Sequence, residues 1–214
     1  MTDLRLKCPF TMLVASPSKS GKSTYVAKLL RKSNILFDKP SEQFYYFYNV
    51  WSPTFDGLTD SLPNIKFIKG ICDMQWLEEN CSQSKDVTIV VDDQALNITK
   101  EVAEVFAVGS HQYGVNFILM AQNLYTKGKY FRDASINTTY ILCGKNPRDQ
   151  LSIRTLAQQM YPTHSKDLIE AYRRATRKPY GYLLIDCTQT TPDTMRLRSN
   201  ILMENEPMST YLRI

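Results

Sequence analysis

Residues 15–24, ASPSKSGKST, decide how this 214-residue sequence is interpreted. Their second half matches the end of G-x-x-x-x-G-K-[ST], the Walker A loop whose backbone amides surround phosphate groups. Gly21 allows the backbone to approach a phosphate, Lys22 can reach the β and γ oxygens, and Ser23 can bind Mg²⁺. The sequence therefore predicts a site for ATP and Mg²⁺ at this loop.

The first glycine of the pattern is replaced by Ser16, a residue still small enough for the tight turn. The loop follows an apolar run, residues 10–15, and precedes helical spacing over residues 23–33, as the motif requires. A serine-rich turn that only caps a helix is the alternative. The residues predicted to contact the nucleotide are consecutive: Ser16, Pro17, Ser18, Lys19, Ser20, Gly21, Lys22, Ser23 and Thr24.

Apolar stretches rich in β-branched and aromatic residues alternate with segments of helical spacing. Several are apolar throughout, which is typical of strands covered on both faces of a sheet. We therefore predict an α/β fold, a P-loop NTPase three-layer sandwich with a mostly parallel central sheet. The predicted strands are residues 10–15, 44–50, 65–68, 87–91, 115–121, 140–143 and 180–185. The predicted helices are residues 23–33, 99–108, 148–160 and 165–175.

The composition is that of an ordinary globular protein, with 43% hydrophobic and 22% charged residues. No apolar run approaches the ~20 residues of a membrane span, and the N-terminal segment lacks the layout of a signal peptide. The five cysteines and two histidines are widely spread, which favours free thiols over disulfides or a metal site. We assign residues 1–190 to a P-loop ATPase domain and residues 191–214 to a polar tail or arm.

A second acidic motif, VTIVVDDQ at residues 87–94, ends a buried strand with two aspartates. We predict that Asp92 is the Walker B ligand that holds Mg²⁺ through water. Asp93 then takes the place of the glutamate that orients the attacking water in many such enzymes, with a side chain one methylene shorter. Acids that merely terminate a strand are the alternative.

The next apolar strand, VNFILMAQN at residues 115–123, carries Gln122 at its tip. About sixty residues with two further strand-like runs separate the phosphate loop from Asp92, an order that favours the inserted-strand class of NTPases. In that class this strand lies between the phosphate-loop strand and the Walker B strand, so Gln122 is predicted to sense the γ-phosphate. A simple strand-end amide is the alternative.

Together, SPSKSGKST, VVDDQ, residues 109–148 and the MRLRSN segment resemble the FtsK/HerA-type packaging ATPases. More narrowly, they resemble the packaging motors of double-stranded DNA viruses and virus-like transposons, of the poxvirus, adenovirus and Polinton/adintovirus-like types. The resemblance covers residues 8–200, and residues 109–148 are its specific part. Ser16 and Asp93 depart from the wider family pattern, which leaves the turnover rate open.

The resemblance implies a homo-oligomeric ring, often hexameric, that hydrolyses ATP and drives double-stranded DNA into a capsid through a capsid or portal-vertex protein. It implies an intracellular location, in the host nucleus, in a cytoplasmic virus factory or with the virion. In such rings one subunit donates an arginine to its neighbour's γ-phosphate. Arg132 is our first candidate, Arg148 the second and Arg154 the third; an ordinary surface ion pair with the following aspartate is the alternative for Arg132.

Two basic clusters and one aromatic stretch leave further alternatives open. The net charge of +5 permits an acidic polymer as partner without requiring one. For the second cluster a DNA or capsid contact competes with a solvated helix end, and for FYYFY at residues 44–48 base stacking competes with a buried strand. The first cluster consists of Lys127, Lys129 and Arg132 with Tyr125, Tyr130 and Phe131 interleaved; the second consists of Arg173, Arg174, Arg177 and Lys178.

Two other functions stay in play beside a DNA-packaging motor. A nucleoside or nucleotide kinase would use the arginines of YRRATRK, residues 172–178, as a lid over its acceptor. A nucleotide-binding assembly protein with little turnover would explain the departures at Ser16 and Asp93.

Overall fold

The computed structural model describes residues 3–82, 86–92, 99–125, 129–202 and 207–211. Within these residues the chain forms one nine-stranded sheet in the order β3-β2-β4-β5-β1-β6-β7-β8-β9. The strands are β1 (Thr11–Ala15), β2 (Gln43–Tyr48), β3 (Ile65–Lys69), β4 (Val87–Val91), β5 (Asn116–Ala121), β6 (Tyr140–Gly144), β7 (Tyr182–Asp186), β8 (Leu197–Ser199) and β9 (Ser209–Thr210).

The first six strands run parallel, whereas β7, β8 and β9 extend the sheet in antiparallel register beside β6. Strand β5 pairs with β1 on one side and β4 on the other, so it is the strand inserted between them. The predicted fold class, an α/β P-loop sandwich with a mostly parallel sheet and an inserted strand, is confirmed.

Helices cover both faces of this sheet. They are α1 (Lys22–Arg31), α2 (Ser33–Leu36), α3 (Pro53–Ser61), α4 (Met74–Cys81), α5 (Lys100–Glu104), α6 (Ser110–Tyr113), α7 (Lys129–Ile136), α8 (Gln150–Met160) and α9 (Ser165–Ala175). A π-helical turn, Val105–Gly109, joins α5 to α6. The predicted helices that begin near residues 23, 99, 148 and 165 are present, whereas α3, α4 and α7 were not predicted.

The central strands are buried on both faces because their side chains alternate between two cores. Met12 and Val14 of β1 face α1 and pack against Val26. Leu13 points to the opposite face and packs with Phe106 of the π-helical turn. A third cluster places α8 and α9 against β6 and β7, and completes the second helical layer. The phosphate-loop strand is therefore at the rigid centre of the domain.

Residues after position 190 contribute β8 and β9 to the sheet, and β8 is buried. Arg198 on β8 forms an almost fully buried ion pair with Asp186 at the end of β7, at 2.6 Å. The hydroxyl groups of Thr188 and Thr191 donate to the same carboxylate. Because breaking one partner of a buried pair is costly, this network fixes the antiparallel half of the sheet. The division of the chain at residue 190 stays a prediction.

None of the helices in the described residues combines the length and the apolar character that crossing a membrane requires.

Candidate nucleotide-binding site

The loop between β1 and α1 has the left-handed backbone that a phosphate-binding turn needs. Lys19 has a φ of 61° and Gly21 a φ of 89°. At Gly21 a side chain would be strained by this φ and would also approach the Tyr180 ring, 3.2 Å from its Cδ1 atom. The turn is closed by Ser20, whose hydroxyl donates to the carbonyl of Pro17 at 2.6 Å.

Helix α1 begins immediately after this turn, so its first amides and the positive end of its dipole face the loop. Its first turn carries no acidic residue. The Lys22 ammonium group donates to the carbonyls of Ser16 at 2.6 Å and Pro17 at 3.0 Å, which holds it inside the loop. The N-terminus of α1 and the Lys22 ammonium group thus lie together where a phosphate would carry negative charge.

Ser16 is accommodated in the loop by a neighbouring glycine. Its amide donates to Ala121 O of β5 at 3.1 Å, and its side chain is buried, with 5% exposed. A methyl group at Gly144, at the end of β6, would overlap the Ser16 hydroxyl and approach Ser16 Cβ to 2.8 Å. Among the described residues the Ser16 hydroxyl has no hydrogen-bond partner. Ser16 therefore fits because residue 144 has no side chain.

Asp92 lies at the carboxyl end of β4 and is oriented by a tyrosine from the neighbouring strand. Its amide donates to Phe47 O at 2.9 Å, and its Oδ2 accepts a hydrogen bond from the Tyr46 hydroxyl at 2.8 Å. Tyr46 is fully buried. Burial, with the nearby Asp92 carboxylate, raises the pKa of the Tyr46 phenol well above its usual range, so Tyr46 stays protonated and remains a donor.

The predicted Mg²⁺ ligands Ser23 and Asp92 suit this ion. Ser23 is in the first turn of α1, and Asp92 follows β4 at the carboxyl edge of the same parallel sheet. Mg²⁺ keeps several waters and takes few protein oxygens, so one hydroxyl and one carboxylate with a fixed orientation are a suitable set. Asp93, the predicted water-orienting residue, lies outside the described residues.

Gln122 follows β5 directly, at the same carboxyl edge, next to the end of β1. It lines a small cavity of about 20 Å³ together with Asn123 and Asn146, whose side chains hydrogen-bond to each other at 3.2 Å. The strand order places Gln122 beside the phosphate loop, the position required of a γ-phosphate sensor. That role stays a prediction.

The three candidate arginines are exposed and lie in two different regions of the chain. Arg132 is on α7, whereas Arg148 precedes α8 and Arg154 is within it. The Arg148 amide donates to the Asn146 side chain at 3.2 Å, which keeps it close to the carboxyl end of β6. The geometry does not distinguish among them, so Arg132 stays the first candidate. Lys127 of the first basic cluster lies outside the described residues.

A large cavity of about 950 Å³ opens beside the phosphate loop, and its far wall lies across from the loop. That wall is the segment of residues 174–181, which we call the basic turn, together with parts of β8 and β9. Three members of the second basic cluster line the cavity: Arg174, Arg177 and Lys178. Neither a solvated helix end nor a DNA or capsid contact predicts a position opposite the loop, whereas the kinase alternative placed these arginines in a lid.

The FYYFY stretch forms the buried strand β2, so the base-stacking alternative for it was wrong. Its contribution to the site is the Tyr46 hydroxyl described above. A tyrosine at a buried strand position was the only sequence signal for this contact, and the pairing of β2 with β4 is what gives it a partner.

We expect the change Tyr46→Phe to raise the Mg²⁺ concentration needed for half-maximal ATP hydrolysis about tenfold. The reason is that Asp92 would lose the donor that fixes its orientation, and outer-shell contacts of this kind are worth about 10–100-fold. A Mg²⁺ titration of the hydrolysis rate measures the effect.

The matched control is Tyr45→Phe, which changes the next residue of β2. Tyr45 points to the other core and packs edge-on against Trp76, with ring centroids 4.7 Å apart. If both variants shifted the Mg²⁺ requirement equally, Tyr46 would not be a positioning residue for Asp92.

A comparison with protein-family models found no match, and a comparison with curated protein sequences found none either. Among solved structures, the DNA-packaging ATPase from Sulfolobus Turreted Icosahedral Virus is similar over 96% of this chain and 98% of that chain, with a TM-score of 0.53 and 10% identity. At this identity the likeness shows a shared fold.

Two further solved structures are similar at lower scores. A KaiC-like protein from Pyrococcus horikoshii is similar over 90% of this chain and 85% of that protein's chain, with a TM-score of 0.47 and 11% identity. The cytoplasmic domain of the Type VII secretion ATPase EccC from Thermomonospora curvata is similar over 65% of this chain and 21% of that chain, with a TM-score of 0.42 and 20% identity.

Proposed function

We propose that this protein is a P-loop ATPase of the FtsK/HerA type that uses ATP and Mg²⁺ to move double-stranded DNA, most specifically to package a viral or virus-like genome. The observation that carries the proposal is the arrangement at one edge of the sheet. The phosphate loop, Asp92 and Gln122 follow three adjacent strands, β1, β4 and β5, in the inserted-strand order. The whole-chain likeness to a viral DNA-packaging ATPase supports the same fold.

Each residue at this edge has a separate task in hydrolysis. The loop amides and Lys22 bind the β- and γ-phosphates and stabilise the charge that develops on them. Ser23 and Asp92 hold Mg²⁺, which neutralises phosphate charge when bound. Asp93 orients the attacking water. Gln122 contacts the γ-phosphate and so couples the position of β5 to whether this phosphate is present.

Assembly completes the site in this proposal. A ring of copies would place one exposed arginine, Arg132 first and Arg148 or Arg154 otherwise, at the neighbouring subunit's γ-phosphate. Double-stranded DNA is the proposed substrate of movement, and a capsid or portal-vertex protein is the proposed docking partner. The site of action is the interior of the infected cell, in the nucleus or a cytoplasmic virus factory.

The test is to measure the ATPase rate and the particle mass together, with and without duplex DNA. Because a trans arginine is worth about 10³–10⁵ in rate, the rate per subunit should rise steeply with protein concentration and with ring formation. Duplex DNA should stimulate it further, and added salt should weaken the stimulation, since phosphate contacts release counterions.

Two other outcomes would contradict the motor. Transfer of phosphate to nucleosides in the absence of DNA would identify a kinase, for which the arginines of the basic turn are the supporting observation. ATP binding without turnover in the assembled ring would identify an assembly protein, and rescue of turnover by Asp93→Glu would support that function.

A further inference from the structure

The basic turn, residues 174–181, lies across the large cavity from the phosphate loop. It connects α9 to β7, and Tyr182 at the start of β7 packs edge-on against Tyr25 of α1, with ring centroids 4.4 Å apart. A phosphate group bound at the loop would leave the remainder of a nucleotide facing this cavity. The volume of about 950 Å³ is that of an ordinary small-molecule site.

Tyr180 is presented by this turn in a strained conformation. Its φ of 60° is in the left-handed region, which a bulky side chain rarely occupies. Its ring lies next to Gly21, since a Cβ built there would be 3.2 Å from the ring's Cδ1, yet 76% of the residue is exposed. A large aromatic surface is thus held at the mouth of the cavity, directly beside the phosphate loop.

The turn around Tyr180 is fixed by local hydrogen bonds and close packing. The Thr176 hydroxyl donates to Tyr172 O at 2.7 Å, and the Gly181 amide donates to Lys178 O at 3.1 Å. A methyl group at Gly181 would overlap the Ala175 carbonyl. Strain that is held in place in this way is characteristic of ligand-binding positions.

The charge of the cavity suits an anionic ligand. No carboxylate is among the lining residues that the structure describes. The cationic lining residues come from both walls: Lys19, Lys22, Lys28, Arg174, Arg177 and Lys178. Cations on both walls of the cavity, together with the Tyr180 ring, match a ligand with phosphates at one end and a flat π-system at the other.

We propose that the Tyr180 ring stacks on the base of the bound nucleoside triphosphate, while the basic turn closes the cavity over its ribose and α-phosphate. This rests on the proposed function, because it assumes that the triphosphate binds at Lys22. The base is recognised by its flat face, so the site accepts ATP and GTP alike at this position.

Two variants separate the ring from the backbone conformation. Tyr180→Asn removes the ring but keeps a residue that tolerates positive φ. Tyr180→Phe keeps the ring and removes only the hydroxyl. Because Tyr180 is exposed, both variants should fold, and their thermal midpoints check this.

The experiment titrates each variant with ATP and with inorganic tripolyphosphate, which has the phosphates but no base. We expect Tyr180→Asn to bind ATP at least about tenfold more weakly and tripolyphosphate unchanged, in line with base–aromatic stacking elsewhere. Tyr180→Phe should bind both ligands as the unmodified protein does.

Several results would overturn the proposal. Equal weakening for ATP and tripolyphosphate would mean that Tyr180 only supports the loop. No weakening for either would mean that the ring is not in contact with the ligand. Unchanged ATP binding with weaker binding of duplex DNA would make Tyr180 a DNA contact.

The readout is binding, so it is independent of turnover. Unmodified protein that binds ATP but does not hydrolyse it would contradict the proposed motor and leave the stacking result valid. Unmodified protein that binds neither ligand would contradict both.

Discussion

Replacing Lys22 with alanine is expected to reduce ATP hydrolysis at least about a hundredfold, since a single preorganised donor to developing charge is worth about 10²–10³ in rate. The Lys22 ammonium group is held by two loop carbonyls, so it is already positioned where the phosphates would bind. The loss of these two hydrogen bonds should cost about 1–3 kcal/mol of stability at most, and the variant should remain folded. Steady-state hydrolysis and chemical denaturation measure the two effects.

The matched control is Lys39→Ala. Lys39 is exposed and precedes β2, at the amino edge of the sheet, opposite the phosphate loop. The change removes one positive charge from the protein, as Lys22→Ala does, without altering the site. The rate of ATP hydrolysis should therefore be unchanged. Hydrolysis that survives in the Lys22 variant at the unmodified rate would show that this loop is not the nucleotide site.

Replacing Gly144 with alanine is expected to lower the free energy of unfolding by about 1–3 kcal/mol, the usual cost of inserting a methyl group into a packed site. The added methyl group would overlap Ser16, and Ser16 Cβ cannot move without the loop backbone. Because the displaced segment is the phosphate loop, we also expect the hydrolysis rate to fall at least about tenfold, in line with the sensitivity of catalysis to small misplacements.

The double change Ser16→Gly with Gly144→Ala tests whether overlap with the Ser16 side chain causes these losses. It restores the usual glycine of the motif by removing the hydroxymethyl group of residue 16, which leaves room for the methyl group added at residue 144, so stability and hydrolysis should both recover. A coupling of about 0.5–3 kcal/mol between the two positions is expected for residues in contact. Gly57→Ala, at an exposed position of α3, is the control, because a methyl group there meets only the Arg31 side chain at 3.5 Å.

If the effects of Ser16→Gly and Gly144→Ala on the free energy of unfolding simply added, this explanation would be contradicted. In that case the serine at position 16 would be tolerated by the loop itself, and its match with Gly144 would be incidental.

The parallel strands could be predicted because most of them are nearly continuous apolar runs with a polar break after them, and β3 alternates apolar residues with lysine. The same pattern placed the phosphate loop, Asp92 and Gln122 at strand ends, and the strand order of the inserted class brought those ends together. Helices α3, α4 and α7 could not be predicted in the same way. They have only eight or nine residues each, and α3 contains Pro53 and Gly57, which usually indicate a loop.

Two features of the site depend on pairings that the sequence does not express. Tyr46 reaches Asp92 only because β2 lies next to β4, and nothing within FYYFY distinguishes its tyrosines. The basic turn is about 150 residues from the phosphate loop along the chain, and it returns to the loop because β7 runs antiparallel to β6. A helix end rich in arginine was therefore assigned to a lid only in the kinase alternative and was otherwise interpreted by its local charge.

The three antiparallel strands separate, along the sequence, the residues that would bind phosphate from those that would surround the rest of a nucleotide. The phosphate loop spans residues 16–24, whereas the cavity that faces it is lined by residues as late as Ser209 and Tyr211. Loss of β8 and β9 would therefore leave the Walker residues in the chain and remove part of the wall around the nucleotide.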